Sequence, residues 1–151
     1  MNAPSPPPPS TRPHRVYVAA PLPLLLTARV VAVELHARGI VTTSSWHTLP
    51  DDPTPEKERA MTLDEQEALA NTCLSEISES DALLLLVGPR NDRSGNIGEA
   101  FFAAGLGKPV FVLPMGPDAP LPTVLLTADL FHKPLSLDTF ARLLKHVPVR
   151  P

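Results

Sequence analysis

Asp81-Ala82-Leu83-Leu84-Leu85-Leu86-Val87 is apolar at every position after its first residue. A strand with one wet face alternates polar and apolar side chains. An unbroken run of this length, closed by Gly88, reads instead as a strand covered on both faces, the mark of a central parallel strand. Just upstream, Thr62-Leu63-Asp64-Glu65 is a capping box that opens a helix running to about Ser78. Leu69, Cys73 and Ile77 fall four apart along it and share one face. Downstream, a polar loop from Gly88 to Gly95 leads into a helix from about Ile97 to Leu106. Gly107-Lys108-Pro109 then turns the chain into Val110-Phe111-Val112-Leu113, a second buried strand.

The N-terminal half repeats the alternation. Val16-Tyr17-Val18-Ala19-Ala20, closed by Pro21, reads as a strand. Leu24 to Arg38 has no internal breaker and ends at Gly39, where a helix C-cap glycine belongs. Ile40-Val41-Thr42-Thr43 is β-branched and strand-like. Ser44 to Glu58, with Trp46, His47 and three prolines, reads as a long loop of the kind that often serves as a lid or binding loop. Leu137 to His146 reads as a last helix with Ser136 as its N-cap. Strand and helix alternate without a hairpin signal, which predicts a single α/β domain: a flavodoxin- or Rossmann-like, doubly wound, parallel five-stranded sheet over residues 15–146. In such sheets ligands sit beyond the carboxyl ends of the strands, where strand order reverses. The loops after Ala20, Thr43 and Val87 reach that edge.

The chain has 151 residues, enough for one domain with a real core. Its 43% hydrophobic and 19% charged residues place it with ordinary soluble proteins. A formal net charge of -3, with no block of Lys or Arg, argues against a nucleic-acid polymer as partner. One cysteine, Cys73, can form neither an internal disulfide nor a cysteine-rich metal site. His47 and His132 lack metal-pair spacing, so neither metal nor cofactor is expected. No apolar run approaches the roughly 18 residues of a membrane span, and there is no signal-peptide layout, so a cytoplasmic protein is expected. Of 20 prolines, six fall between Pro4 and Pro13. Residues 1–14 therefore read as an extended, disordered leader, with a proline-motif scaffold as the lesser reading. Residues 147–151 read as a short tail.

Glu99 stands in the first turn of the helix after the strongest strand. Acids are favoured there by the helix dipole, by about 0.3–1 kcal/mol, and the same field keeps a carboxylate ionised, as a nucleophile requires. Gly95 and Gly98 on its approach permit a tight turn and close entry of a ligand, but match neither GxGxxG nor GK[ST]. Tyr17 lies near the ligand-facing end of the first strand. Trp46 sits where it can stack on a base or simply pack. Arg93 and Ser94 suit an anion as well as they suit a solvated loop.

Together these residues resemble the nucleoside 2-deoxyribosyltransferase-like superfamily, which includes deoxyribosyltransferases and nucleotide N-glycosidases. The resemblance runs from about Val16 to Leu113, on Val16-Tyr17-Val18-Ala19-Ala20-Pro21, Ile77-Ser78-Glu79-Ser80-Asp81-Ala82, Ser94-Gly95-Asn96-Ile97-Gly98-Glu99, and Ala103 through Pro109. Ser-Ser before Trp46 is similar to an element of one branch. The resemblance implies that Glu99 attacks the anomeric carbon of the sugar, displacing the base, as a carboxylate does in retaining glycosidases. It implies that Tyr17 lies in the pocket and positions substrate and nucleophile, and that Trp46, Cys73, Arg93, Ser94, Gly95 and Asn96 contact substrate. The implied substrate is a nucleoside or nucleoside monophosphate, and the implied assembly a homodimer or higher homo-oligomer with residues 115–132 as a candidate shared wall. Two positions depart from the family pattern: Cys73 stands where members place an Asp, and Arg93 where deoxyribosyltransferases tend to have an Asp. The alternative class is a nucleotide-binding or sensing module that has lost catalysis.

Overall fold

The computed structural model describes residues 5, 12–89, 95–116, 119, 121, 131–133 and 136–149. Five parallel strands lie in the order β2-β1-β3-β4-β5, with β1 at Arg15–Ala19, β2 at Val41–Thr42, β3 at Ala82–Val87, β4 at Val110–Pro114 and β5 at Phe131–His132. Helices α1 (Leu25–Ala37), α2 (Pro55–Ala60), α3 (Leu63–Glu79), α4 (Asn96–Gly105) and α5 (Leu137–Leu144) complete the described fold. This is the expected parallel α/β sheet.

Every residue of β3 is buried, and the strand's two-residue period divides its side chains between two cores. Leu84 and Leu86 pack with Val16 and Val18 of β1 against Ala28, Val31 and Leu35 of α1 and Phe140 and Leu144 of α5. Leu83 and Leu85 pack with Tyr17 and Ala19 against Ile77 of α3 and Ala100 and Ala103 of α4. Helices are thus required on both sides, because each buried leucine contributes about 1.5–3 kcal/mol only when covered. Strand order reverses between β1 and β3, so the carboxyl ends of β1, β2 and β3 face a common crevice.

The elements close as their residues dictate. Thr62 and Glu65 form the reciprocal capping box of α3, Gly39 takes a φ of +75° after α1, and the Ser136 side chain caps α5 by accepting from Thr139 N. One expectation is corrected. The stretch from Ser44 to Glu58 is not structureless: Trp46–Thr48 forms a 3-10 turn and Pro55–Ala60 forms α2. Thr54 accepts from Lys57 N as the N-cap, and Pro55 occupies the first turn, where its missing N–H costs nothing.

At the amino end of the sheet, buried Asp81 gathers the chain. Its carboxylate accepts from both terminal nitrogens of Arg12, at 2.9 and 2.8 Å, and from the Arg15 backbone N–H at 2.8 Å. His14 Nε2 lies 2.8 Å from the Val147 carbonyl, so contacts to the packed body begin before Arg15 and continue past His146. Buried Lys108 donates to the carbonyls of Ser78 and Ser80 at the end of α3, where a cation also complements the helix dipole. None of the described helices is long and apolar enough to cross a membrane. Replacing Asp81 by Ala deletes the acceptor for three donors at once. Asp81→Ala is expected to destabilise the fold by about 3 kcal/mol, read from urea unfolding followed by circular dichroism.

Candidate functional site

The crevice at the reversal point is a cleft of about 650 Å³. Its walls come from the three expected loops: Ala20 and Pro21 after β1, Trp46 after β2, and Gly95, Asn96 and Glu99 at the start of α4. Cys73 and Leu69 of α3 and Met61 close another side. A second hollow of about 630 Å³ between α3 and α4 shares Cys73, Gly95 and Glu99 with the first, so Glu99 stands where the two meet. Neither Gly95 nor Gly98 has a positive φ, and a Cβ at either meets no atom within 4 Å. Glycine there is not demanded by the turn; it leaves open the space a ligand would use.

Trp46 is fixed by its indole N–H, which donates to the Val18 carbonyl at 2.8 Å. The residues around it are held from other directions. Ser44 Oγ accepts from Val18 N at 3.1 Å and is hydrogen-bonded to His47 Nε2 at 2.8 Å. The Ser45 N–H and hydroxyl both donate to the carboxylate of Glu76. Arg29 Nε donates to the His47 carbonyl at 2.6 Å and its guanidinium pairs with Asp52. Trp46 therefore presents a rigid aromatic surface to the cleft, since its polar edge is already committed.

Glu99 is half-buried in the first turn of α4. Burial raises its affinity for a proton, the nearby phenol of Tyr17 opposes that rise, and the charge of Glu76 adds to it. Tyr17 is fully buried beneath the site and does not line the cleft; it faces the α3–α4 side because it alternates with Val16 and Val18. Its expected place in the pocket is thus corrected to a place beneath the floor. Burial and then the Glu99 charge keep the phenol protonated. Tyr17 Oη and Glu99 Oε2 are both buried without a formed hydrogen bond, while the phenol lies close enough to Glu99 and Cys73 to interact with both. The trio is one weakly tied group: an O–H donor, a carboxylate acceptor, and a thiol that burial keeps protonated. A neutral thiol supplies little charge or hydrogen bonding where a carboxylate would supply both.

Trp46, Cys73, Gly95 and Asn96 line the cleft with Glu99, whereas Arg93 and Ser94 lie outside the described residues. Most of residues 115–132, the candidate shared wall, also lie outside them. Glu76 was not legible as a site residue. It lies three positions after Cys73, about one turn along α3, and only the partner Ser45, distant in sequence, reveals its direction. Among the described residues no cluster of His, Cys, Asp or Glu fits a metal ion.

The architecture matches that of a 2-deoxyribosyltransferase from Bacillus psychrosaccharolyticus with a TM-score of 0.65 at 20% identity, covering 91% of this chain and 98% of that one. The chain has the 2-deoxyribosyltransferase fold. A CMP N-glycosidase of Clostridium botulinum, in the same superfamily, matches at 0.50 and 17% identity over 87% of this chain and 98% of that one. The single-stranded-DNA-binding DNA processing protein A of Helicobacter pylori shares the architecture at 0.61 and 17% identity, over 92% and 86% of the two chains. No protein-family model and no curated protein sequence matches the chain. At such identities the likeness concerns architecture, and function must be argued from the site.

Buried His47 gives the site an acid sensitivity. Burial, then the Arg29 charge, lowers its proton affinity below the ordinary 6.5. The unfolded chain therefore binds a proton that the folded one refuses, so His47's contribution is full above about pH 6.5 and is lost as pH falls below it. Urea unfolding at pH 7 and pH 5.5 should show a stability loss in the wild type that is smaller in His47→Gln.

Proposed function

We propose that the protein cleaves or transfers the N-glycosidic bond of a nucleoside or nucleoside monophosphate, with Glu99 as the nucleophile. The observation that carries this reading is the placement of a desolvated carboxylate at the floor of a cleft walled by a rigid indole. A planar base can lie against Trp46, which sets the sugar's anomeric carbon toward Glu99. Attack by a Glu99 oxygen forms the C1–O bond as the C1–N bond breaks, the pair leaving on the base. Water or a second base then releases the sugar and restores the carboxylate. Desolvation makes Glu99 a stronger nucleophile once ionised, and the neutral phenol of Tyr17 beneath it can steady the carboxylate without entering the cleft. The fold shared with a 2-deoxyribosyltransferase and a CMP N-glycosidase supports the same general chemistry.

The cleft residues described above also allow a second reading, a nucleotide-binding or sensing module, which Cys73 in place of a carboxylate favours. We further place the protein in the cytoplasm, and as a homo-oligomer; the part-exposed apolar side chains of Leu74 on α3 and of Phe101 and Leu106 at α4 support the second of these, and light scattering should give a mass above that of one chain. The acidic charge balance favours a small ligand over a nucleic-acid strand.

Incubation with a panel of nucleosides and monophosphates, followed by chromatography, should detect free base. Glu99→Ala should lower kcat/KM by about a thousandfold or more, and unchanged turnover would remove Glu99 from its role. Because the proton affinity of Glu99 is raised, base release should decline on acidification at a higher pH than an ordinary carboxylate would give. Binding of the panel with no base released from any member would select the sensing module instead.

A further inference from the structure

The structure carries a second carboxylate toward the site by a route the nucleophile reading does not use. Glu76 lies about one turn beyond Cys73 on α3, and both of its oxygens are taken by a single residue: Ser45 N–H donates to Oε2 at 3.1 Å and the Ser45 hydroxyl donates to Oε1. Ser45 immediately precedes Trp46, and its own carbonyl accepts from Thr48 N and Thr48 Oγ1, closing the 3-10 turn. Of the residues from Ser44 to His47, Ser44 and Trp46 are tied to β1 and His47 to α1; Ser45 alone ties the turn to α3. That helix brings Cys73 to Glu99.

We propose that Glu76, clamped by Ser45, is a positioning residue of the Glu99 site: it fastens the Trp46 wall to α3, the helix that carries Cys73 to Glu99. The inference rests on the Glu99 reading for its catalytic consequence, but not for its geometry. Glu76 does not line the cleft, so it acts through other groups. Its charge bears on both Glu99 and Cys73. The described titratable groups around Glu99 are Tyr17 from β1, Cys73 and Glu76 from α3, and Asp51, Lys57 and Glu58 across the cleft. Arg59 lines the adjoining hollow. The charge of Glu76 adds to the raised proton affinity of Glu99. A like charge makes the ionised form of Glu99 harder to reach and, once reached, more basic.

The test is a carbon-13 titration of the full chain labelled at glutamate carboxyls, with the Glu99 resonance assigned by its loss in Glu99→Gln. In Glu76→Gln, which keeps polar atoms for Ser45 but removes the charge, the Glu99 midpoint should move to lower pH. An unchanged midpoint in folded Glu76→Gln overturns the proposal. Ser45→Ala supplies the second measurement and serves alone if Glu76→Gln does not fold. With the hydroxyl half of the clamp gone and only the backbone N–H left, Trp46 fluorescence should shift to the red and the Glu99 midpoint should change; neither changing overturns the proposal. Where base release is measurable, Ser45→Ala should raise KM about tenfold, the loss of one hydrogen bond to a charged acceptor, with a smaller effect on kcat. If the wild type releases no base, the nucleophile reading fails, while the titration still decides whether Glu76 is coupled to Glu99.

Discussion

Covering β3 on both faces is the constraint from which the rest of the structure follows. Its leucines point alternately to two cores, so neither core can be omitted without exposing half the strand to water. Helices must then lie on both sides of a parallel sheet, and every strand must end at the same edge as its neighbours. The reversal between β1 and β3 opens that edge. Glu99 reaches the opening because α4 follows β3 directly, and Tyr17 lies beneath it because β1 pairs with β3 in the register Tyr17 to Leu83. The site is a by-product of how the core is filled.

Rigidity at the opening comes from hydrogen bonds rather than from more core. Val18 contributes both of its backbone groups, its N–H to Ser44 and its carbonyl to Trp46. Those groups lie near the end of β1, beyond its short pairing with β2 at Arg15 and Val16, and the side chains of the following loop take them up. The loop that would be expected to flap is thereby joined to the sheet. This makes the indole a wall, and it confines adjustment to the Tyr17–Cys73–Glu99 group, whose polar atoms are close without being locked together.

Much of this was legible in the sequence for physical reasons. The unbroken apolar run at Ala82–Val87 and the Thr62 capping box are local signals that tertiary structure only confirmed. Loop position pointed to the crevice and the family resemblance to its residues, and Trp46, Cys73, Gly95, Asn96 and Glu99 line that crevice. What was hidden depended on distant partners. Tyr17 could be placed on its strand, but which face it took depended on the packing of two helix layers. Pro55 looked like a breaker and instead occupies a helix start after the Thr54 cap, a signal the stretch contained. β5 is only two residues long and leaves no pattern to read. Lys108, met in the sequence as part of the Gly107-Lys108-Pro109 turn, has a local task here, completing the carbonyls at the end of α3. Glu76 showed itself only through Ser45.

The same brevity of β2 and β5 matters beyond the domain. Each outermost strand has two residues, so neither border of the described sheet is formed by a long strand. Long open borders are where sheets of separate molecules zip together into aggregates. This sheet keeps its sticky apolar strands in the middle and lets its margins taper out. Margins this short give fibrous pairing between copies of so leucine- and valine-rich a sheet little on which to start.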